Sequence, residues 1–120
     1  MTDSTAPVGQ GSGPDSEKLL VAAVANCLSA SLLFSLRKFN NEAVAMQTIA
    51  SVQLVRNEHA RLRMGSIHVE IQLGVPAGAL KHLDRAIAQF EGFCVVTQSV
   101  RAAIPVGVRI LDGDGVLLAG

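Results

Sequence analysis

An α+β fold is predicted, in which an antiparallel sheet packs on one long central helix. Three observations predict it. Leu19 to Leu36 is a run of 18 residues without a charge, preceded by helix-start residues. Two later segments alternate apolar and polar residues with the period of a strand. The elements then follow as helix, strand, strand, helix, helix, strand, which is not the strict alternation of a βαβ protein.

The first helix is predicted over Ser16–Leu36. Asp15 or Ser16 can cap it, and Glu17 in its first turn complements the helix dipole. It carries Leu19, Leu20, Ala23, Val24, Cys27, Leu28, Leu32 and Leu36 and ends near Arg37-Lys38-Phe39-Asn40-Asn41, with cations at its C-terminus. Thr48–Arg56 alternates, with Ile49, Ser51, Gln53 and Val55 on one face and Val52 and Leu54 on the other. Gly65–Leu73 alternates more cleanly: Ile67, Val69, Ile71 and Leu73 against Ser66, His68, Glu70 and Gln72. The polar connector Asn57–Arg61 suits a hairpin, and one apolar face suits an antiparallel sheet on a helix layer. Pro76 opens a second helix with the stripe Leu80, Leu83, Ile87, Phe90. Gly92 interrupts it, and Cys94 opens a third, to about Ala102. Ile104–Leu111 is a strand that Pro105 places at an edge or a strand start. Asp112-Gly113-Asp114-Gly115 is a tight turn, and Val116–Leu118 returns as a short strand.

With 120 residues, the chain supports one domain. Residues 1–15 hold Thr, Ser, Gly, Pro and Gln with almost nothing large and apolar, so they are predicted to form a flexible arm before a domain over 16–120. Hydrophobic residues make up 49% of so short a chain, which favours burial against a second copy. Ten acidic and ten basic residues balance, and there is no Trp or Tyr, which argues against a nucleic-acid partner. The start Met1-Thr2-Asp3-Ser4 lacks the basic and apolar segments of a signal peptide, so a cytoplasmic location is expected. The charge-free helix reaches the lower limit of a membrane span. Asn26, Ser29, Ser31 and Ser35 favour a helix surrounded by protein instead, and no membrane partner is expected.

The chain has two cysteines, Cys27 and Cys94. In a reducing compartment such a pair is not a structural staple. Each is either a small buried hydrophobe or a reactive thiol, and together they form a redox pair if the fold brings them into contact. At the start of its helix, Cys94 is placed where amide groups favour a thiolate. His68 on a wet strand face, His59 in a loop and His82 on an exposed helix face share no metal-ligand spacing with a cysteine. The Asp112–Gly115 turn lacks the downstream glutamate of a calcium loop. No metal or cofactor is expected.

Glu17-Lys18-Leu19-Leu20-Val21-Ala22-Ala23-Val24-Ala25-Asn26-Cys27 resembles the signature of the OsmC and Ohr family, the osmotically inducible and organic hydroperoxide resistance proteins. Gly13-Pro14 precedes it, Glu17 stands ten residues before Cys27, and Cys94-Val95-Val96 resembles the second cysteine element without its proline. The resemblance covers roughly Gly11 to Ile110. It implies an intertwined homodimer with two central helices between curved sheets. It implies reduction of organic hydroperoxides: Cys27 attacks the peroxide, Cys94 resolves the sulfenic acid as a disulfide, and a dithiol reductant, in several members a lipoyl group, restores the thiols. Glu17 matches the glutamate that orients the family's activating arginine. The strands that carry this arginine have no counterpart before Glu17, so a substitute comes from Arg37, Arg56, Arg61, Arg63, Arg85, Arg101 or Arg109, or from the partner chain. Without a substitute, the same resemblance is compatible with a dimer that binds an apolar ligand, has a structural role, or senses redox state without turnover.

Overall fold

The computed structural model describes residues 15–42 and 44–120. The arm expected over residues 1–15 therefore lies, apart from Asp15, outside the described residues.

The chain folds as α1 (Ser16–Lys38), β1 (Met46–Arg56), β2 (Leu62–Leu73), α2 (Leu83–Phe90), α3 (Val95–Val100), β3 (Val106–Leu111) and β4 (Leu117–Ala119). Asp15 caps α1 by accepting from the Lys18 amide at 2.9 Å, which satisfies one of the free donors of the first turn. Arg37 and Lys38 occupy the last turn. The inward face of α1, Val21, Val24, Leu28, Leu32 and Leu36, is buried against Ile67, Val69, Ile71 and Leu73 of β2 and Ile110 of β3. On β2 the alternation places every predicted apolar residue inward, while His68 stays exposed and Glu70 and Gln72 half-buried. One helix layer therefore covers one face of one sheet.

Two expectations are corrected. The sheet is mixed, not antiparallel: in the order β1-β2-β3-β4, β2 pairs with β3 in parallel, from Ile67↔Val106 to Gln72↔Leu111. The crossover through α2 and α3 returns the chain to the end where β2 began, which forces this direction. The antiparallel pairs are β1 with β2, as the hairpin predicts, and β3 with β4. Secondly, the helix predicted from Pro76 is broken. Pro76 precedes a single 3₁₀ turn, Ala77–Ala79, Leu80 is extended, and His82 adopts a left-handed conformation at φ 52° before α2 begins. Asn41 explains the break. Its carbonyl oxygen accepts from the Lys81 amide at 2.7 Å, and its amide donates to the Lys81 and Leu36 carbonyls at 2.9 and 3.0 Å. The Lys81 backbone is thus used by the end of α1 and not by a helix of its own. His82 accordingly caps α2 instead of lying on its face, with its ring 5.8 Å from that of Phe39.

α1 is covered on one side only. Its central window has a mean hydropathy of 2.1, yet a third of it is buried. Leu19, Ala22, Ala23, Asn26, Ala30 and Phe34 face outward. Pro105 directly precedes β3, where it costs no ladder bond and its carbonyl accepts from the Ile67 amide at 2.9 Å.

Asp112 ties the last turn to the rest of the fold. Nearly buried, it accepts from the amides of Val116, Asp114 and Ala77 at 2.9, 2.9 and 3.2 Å. The Val116 bond foremost, joined by those of Ala77 and Asp114 and opposed by burial, holds its carboxyl below the ordinary carboxylate range. A carboxyl depressed in the folded state contributes stability that is complete above its unfolded pKa and lost as the pH falls through the folded value. Asp112→Ala is therefore expected to lower the thermal midpoint at neutral pH. The gap to the parent should narrow as the pH falls below the ordinary carboxylate range toward the lower folded value. Melting curves across that range check it.

Candidate functional site

The two sulfurs, 67 residues apart in sequence, are joined in the folded chain. Cys27 and Cys94 are in direct sulfur–sulfur contact, with Cα atoms 5.8 Å apart, within the range that disulfides span. Neither cysteine stands alone in the core, so of the two readings of these residues the geometry favours the pair.

Each sulfur is placed by its own element. Cys27 sits midway along α1, one position from the inward-facing Leu28, and is half-buried. Cys94 is fully buried at the N-cap of α3. The turn before it is clamped at both ends. The Cys94 amide donates to the Glu91 carbonyl at 3.1 Å, and Gln98 Nε2 donates to the same oxygen at 3.0 Å. The Glu91 carboxylate pairs with Arg101, whose guanidinium also donates to the Val106 carbonyl at 2.9 Å. Ser35 Oγ, itself buried, donates to the Ala86 carbonyl at 3.0 Å and fixes α2 on α1. The segment that delivers Cys94 is thus held to α1 on one side and to β3 on the other.

The α3 amides do not serve the Cys94 sulfur as the helix start predicts. The Cys94 side chain makes no capping bond. Its Sγ lies 2.9 Å from the Thr97 hydroxyl oxygen, which is also completely buried. Thr97 is the site residue that sequence reasoning missed. The signal was present: a hydroxyl three residues after a helix-capping cysteine is one turn away and on the same side.

An open cleft of about 600 Å³ exposes the pair on the Cys27 side, lined by Ala23, Asn26, Cys27, Phe34, Phe93 and Val96. Phe34 and Phe93 meet edge to face at 6.5 Å, and Lys38 Nζ lies 5.6 Å from the Phe93 ring centroid. Lys38 is 11 residues beyond Cys27, about 16 Å along the helix. Among the described residues, neither arginine nor lysine lines the cleft. Arg101 is engaged with Glu91, and Arg109 pairs with Glu70 at 3.4 Å on the sheet's outer face. Glu17 is not brought to the sulfurs. It is exposed in the first turn, ten residues before Cys27 and so about 15 Å along the helix. It makes no ion pair among the described residues. Nor do three His, Cys, Asp or Glu side chains gather into a metal-binding group among them. A second groove, at the α1–β1 seam from Lys18 to Val52, is lined by Lys18, Thr48 and Ser51 but by neither cysteine.

The sequence matches the model of a family described as OsmC-like protein over residues 9–109. No curated protein matches the sequence. Among solved structures, the fold is similar to an OsmC-like protein of Vibrio cholerae, with a TM-score of 0.71 and 20% identity over 89% of this chain and 70% of that one. It is similar to the organic hydroperoxide resistance protein OhrB of Bacillus subtilis, with a TM-score of 0.66 and 16% identity over 82% and 71%. An organic hydroperoxide resistance protein OsmC of Legionella pneumophila gives 0.67 and 14% over 85% and 72%. At such identities the likeness is one of fold.

Proposed function

The chain belongs to the OsmC-like protein family, and from that premise we propose that it is a thiol-dependent reductase of organic hydroperoxides built on Cys27 and Cys94. The contact between the two sulfurs carries this reading. Cys27 faces the cleft and is the attacking sulfur; Cys94, sealed behind it, is the resolving one. The Cys27 thiolate attacks the outer peroxide oxygen, the O–O bond breaks, and an alcohol leaves after taking a proton. Cys94 then displaces water from the Cys27 sulfenic acid and closes the disulfide, which an external dithiol, such as a lipoyl group, reopens. The similar proteins named for organic hydroperoxide resistance and the apolar cleft wall support an alkyl or aryl peroxide as substrate. A cytoplasmic setting, which keeps thiols reduced, suits the cycle.

The working form is proposed to be an intertwined homodimer. Its support is the apolar surface that one chain leaves open: Leu19 at 50% and Phe34 at 61% exposure on α1, with Leu54, Val55 and Leu62 exposed toward the tip of the β1–β2 hairpin. A partner across α1 would cover the open apolar face beside the cleft and could bring a cation to Cys27 while leaving the cleft's mouth free for substrate. In this reading Glu17, about 15 Å along its own helix from Cys27, would orient a cation only at the site of the other protomer.

One observation favours a second reading. Among the described residues no arginine or lysine lines the cleft beside Cys27, which suits a redox sensor or binding protein of the same fold. A single set of measurements separates the two. Purified protein with dithiothreitol is expected to consume cumene hydroperoxide catalytically, to lose two hydrogens on oxidation by intact mass, and to sediment as a dimer. Stoichiometric oxidation without turnover selects the sensor, and no oxidation at all removes both redox readings.

A further inference from the structure

We infer that the Thr97 hydroxyl is the group that holds Cys94 as a thiolate whenever the Cys27–Cys94 pair opens, an inference that rests on the thiol-redox reading above. Cys94 is completely buried, and a thiolate there is costly unless something donates to it. The amides of its own helix make no bond to its side chain. Among the described residues, the polar atom within hydrogen-bond distance of Cys94 Sγ is Thr97 Oγ1, at 2.9 Å and equally buried. The disulfide sulfur has no proton, so in this contact the hydroxyl donates.

The reductive step shows why this matters. Cys27 lines the open cleft and Cys94 does not, so an incoming dithiol reaches the Cys27 sulfur. A bond forms from the reductant's thiolate sulfur to Cys27 Sγ and the Cys27–Cys94 bond breaks. The electron pair departs on Cys94 Sγ, where the Thr97 O–H receives the new charge. The reductant's second thiolate then attacks its own sulfur in the mixed disulfide and releases Cys27 as a thiolate. Two electrons pass from the dithiol to the protein, and the dithiol becomes a cyclic disulfide. Because a better-stabilised leaving thiolate leaves faster, Thr97 governs the rate at which the pair reopens. In the oxidative half, the same bond keeps buried Cys94 ionised for its attack on the Cys27 sulfenic acid.

Thr97→Val keeps shape and burial while removing the hydroxyl, and Thr97→Ser keeps the hydroxyl. Starting from oxidised protein, the rate of reduction by dithiothreitol is expected to fall about tenfold in Thr97→Val, the lower end of what a hydrogen bond to a charged group is worth, and to recover in Thr97→Ser. The second readout is thiolate absorbance against pH with Cys27→Ser as background. The chain contains neither Trp nor Tyr, so the ultraviolet signal is free of aromatic titration. Its midpoint is expected to move up by about one pH unit in Thr97→Val, tenfold in ionisation. Unchanged rate and midpoint overturn the inference. So does a fall in thermal stability with an unmoved midpoint, because that marks a purely structural threonine. Neither readout requires peroxide turnover. A Thr97 effect in a protein that fails to consume peroxide therefore supports the inference and counts against the peroxidase reading alone.

Discussion

Cys27→Ser is expected to reduce hydroperoxide consumption to the rate measured without protein. The argument is one of access and of chemistry. The peroxide must enter from the cleft, and the sulfur lining that cleft is Cys27. Cys94 lies directly behind and is 0% exposed, so it cannot take over the attack when Cys27 is gone. Serine keeps the size but not the nucleophile: its hydroxyl stays protonated at neutral pH and cannot pass through the sulfenic acid stage. Cys94→Ser should behave differently. Cys27 can still attack once, and the resulting sulfenic acid waits for an external thiol in place of its neighbour. Turnover then slows without vanishing, and intact mass shows a Cys27 peptide that has gained oxygen. Peroxide consumption in the order parent, Cys94→Ser, Cys27→Ser tests the assignment of roles. Full turnover in Cys27→Ser removes it, and equal loss in both variants indicates that resolution controls the rate.

The fold was legible where a residue's own chemistry determines its element. Asp15 and Glu17 announced the start of α1, the alternation from Ile67 to Leu73 announced β2 and its inward face, and Pro105 announced the start of β3. It was illegible where the determinant lies far along the chain. Nothing in Leu80-Lys81-His82 says that the Lys81 backbone is bonded to Asn41, 40 residues earlier, so the apolar stripe through Leu80 reads as one helix with α2. The direction of β3 relative to β2 likewise depends on how α2 and α3 cross over, which periodicity does not encode. The site divides in the same way. Cys27 and Cys94 could be named from their surroundings, but their contact is a product of the α2–α3 crossover. Thr97 looked like an ordinary helix residue until its hydroxyl was seen against sulfur. The charge-free length of α1 suggested protein on all sides; one chain covers a single face, because its sheet has only one side to offer.

Phe90→Ala is expected to be the most destabilising single substitution in the segment that delivers Cys94, at about 3–5 kcal/mol. Phe90 is the largest completely buried side chain in the structure, and it closes α2 immediately before the Glu91–Phe93 turn that leads into Cys94. Truncation removes its transfer free energy and leaves a cavity between helices already held by the Ser35–Ala86 bond, so the site cannot collapse freely. Against a total of roughly 5–15 kcal/mol for a domain, this is a large fraction. At about 4 °C per kcal/mol, the low end for a small domain, the thermal midpoint falls by at least ~12 °C. Phe93, three residues on and 53% exposed, is the internal control: Phe93→Ala should shift the midpoint only slightly in the single chain, since little of its surface leaves water on folding. The contrast also reaches the chemistry. If Phe90 anchors α2, its loss loosens the approach of Cys94 to Cys27, and disulfide closure slows together with the fall in stability. A midpoint within a few degrees of the parent would instead assign the placement of Cys94 to the Glu91–Arg101 pair and the Ser35 bond, with the aromatic ring only filling space between them.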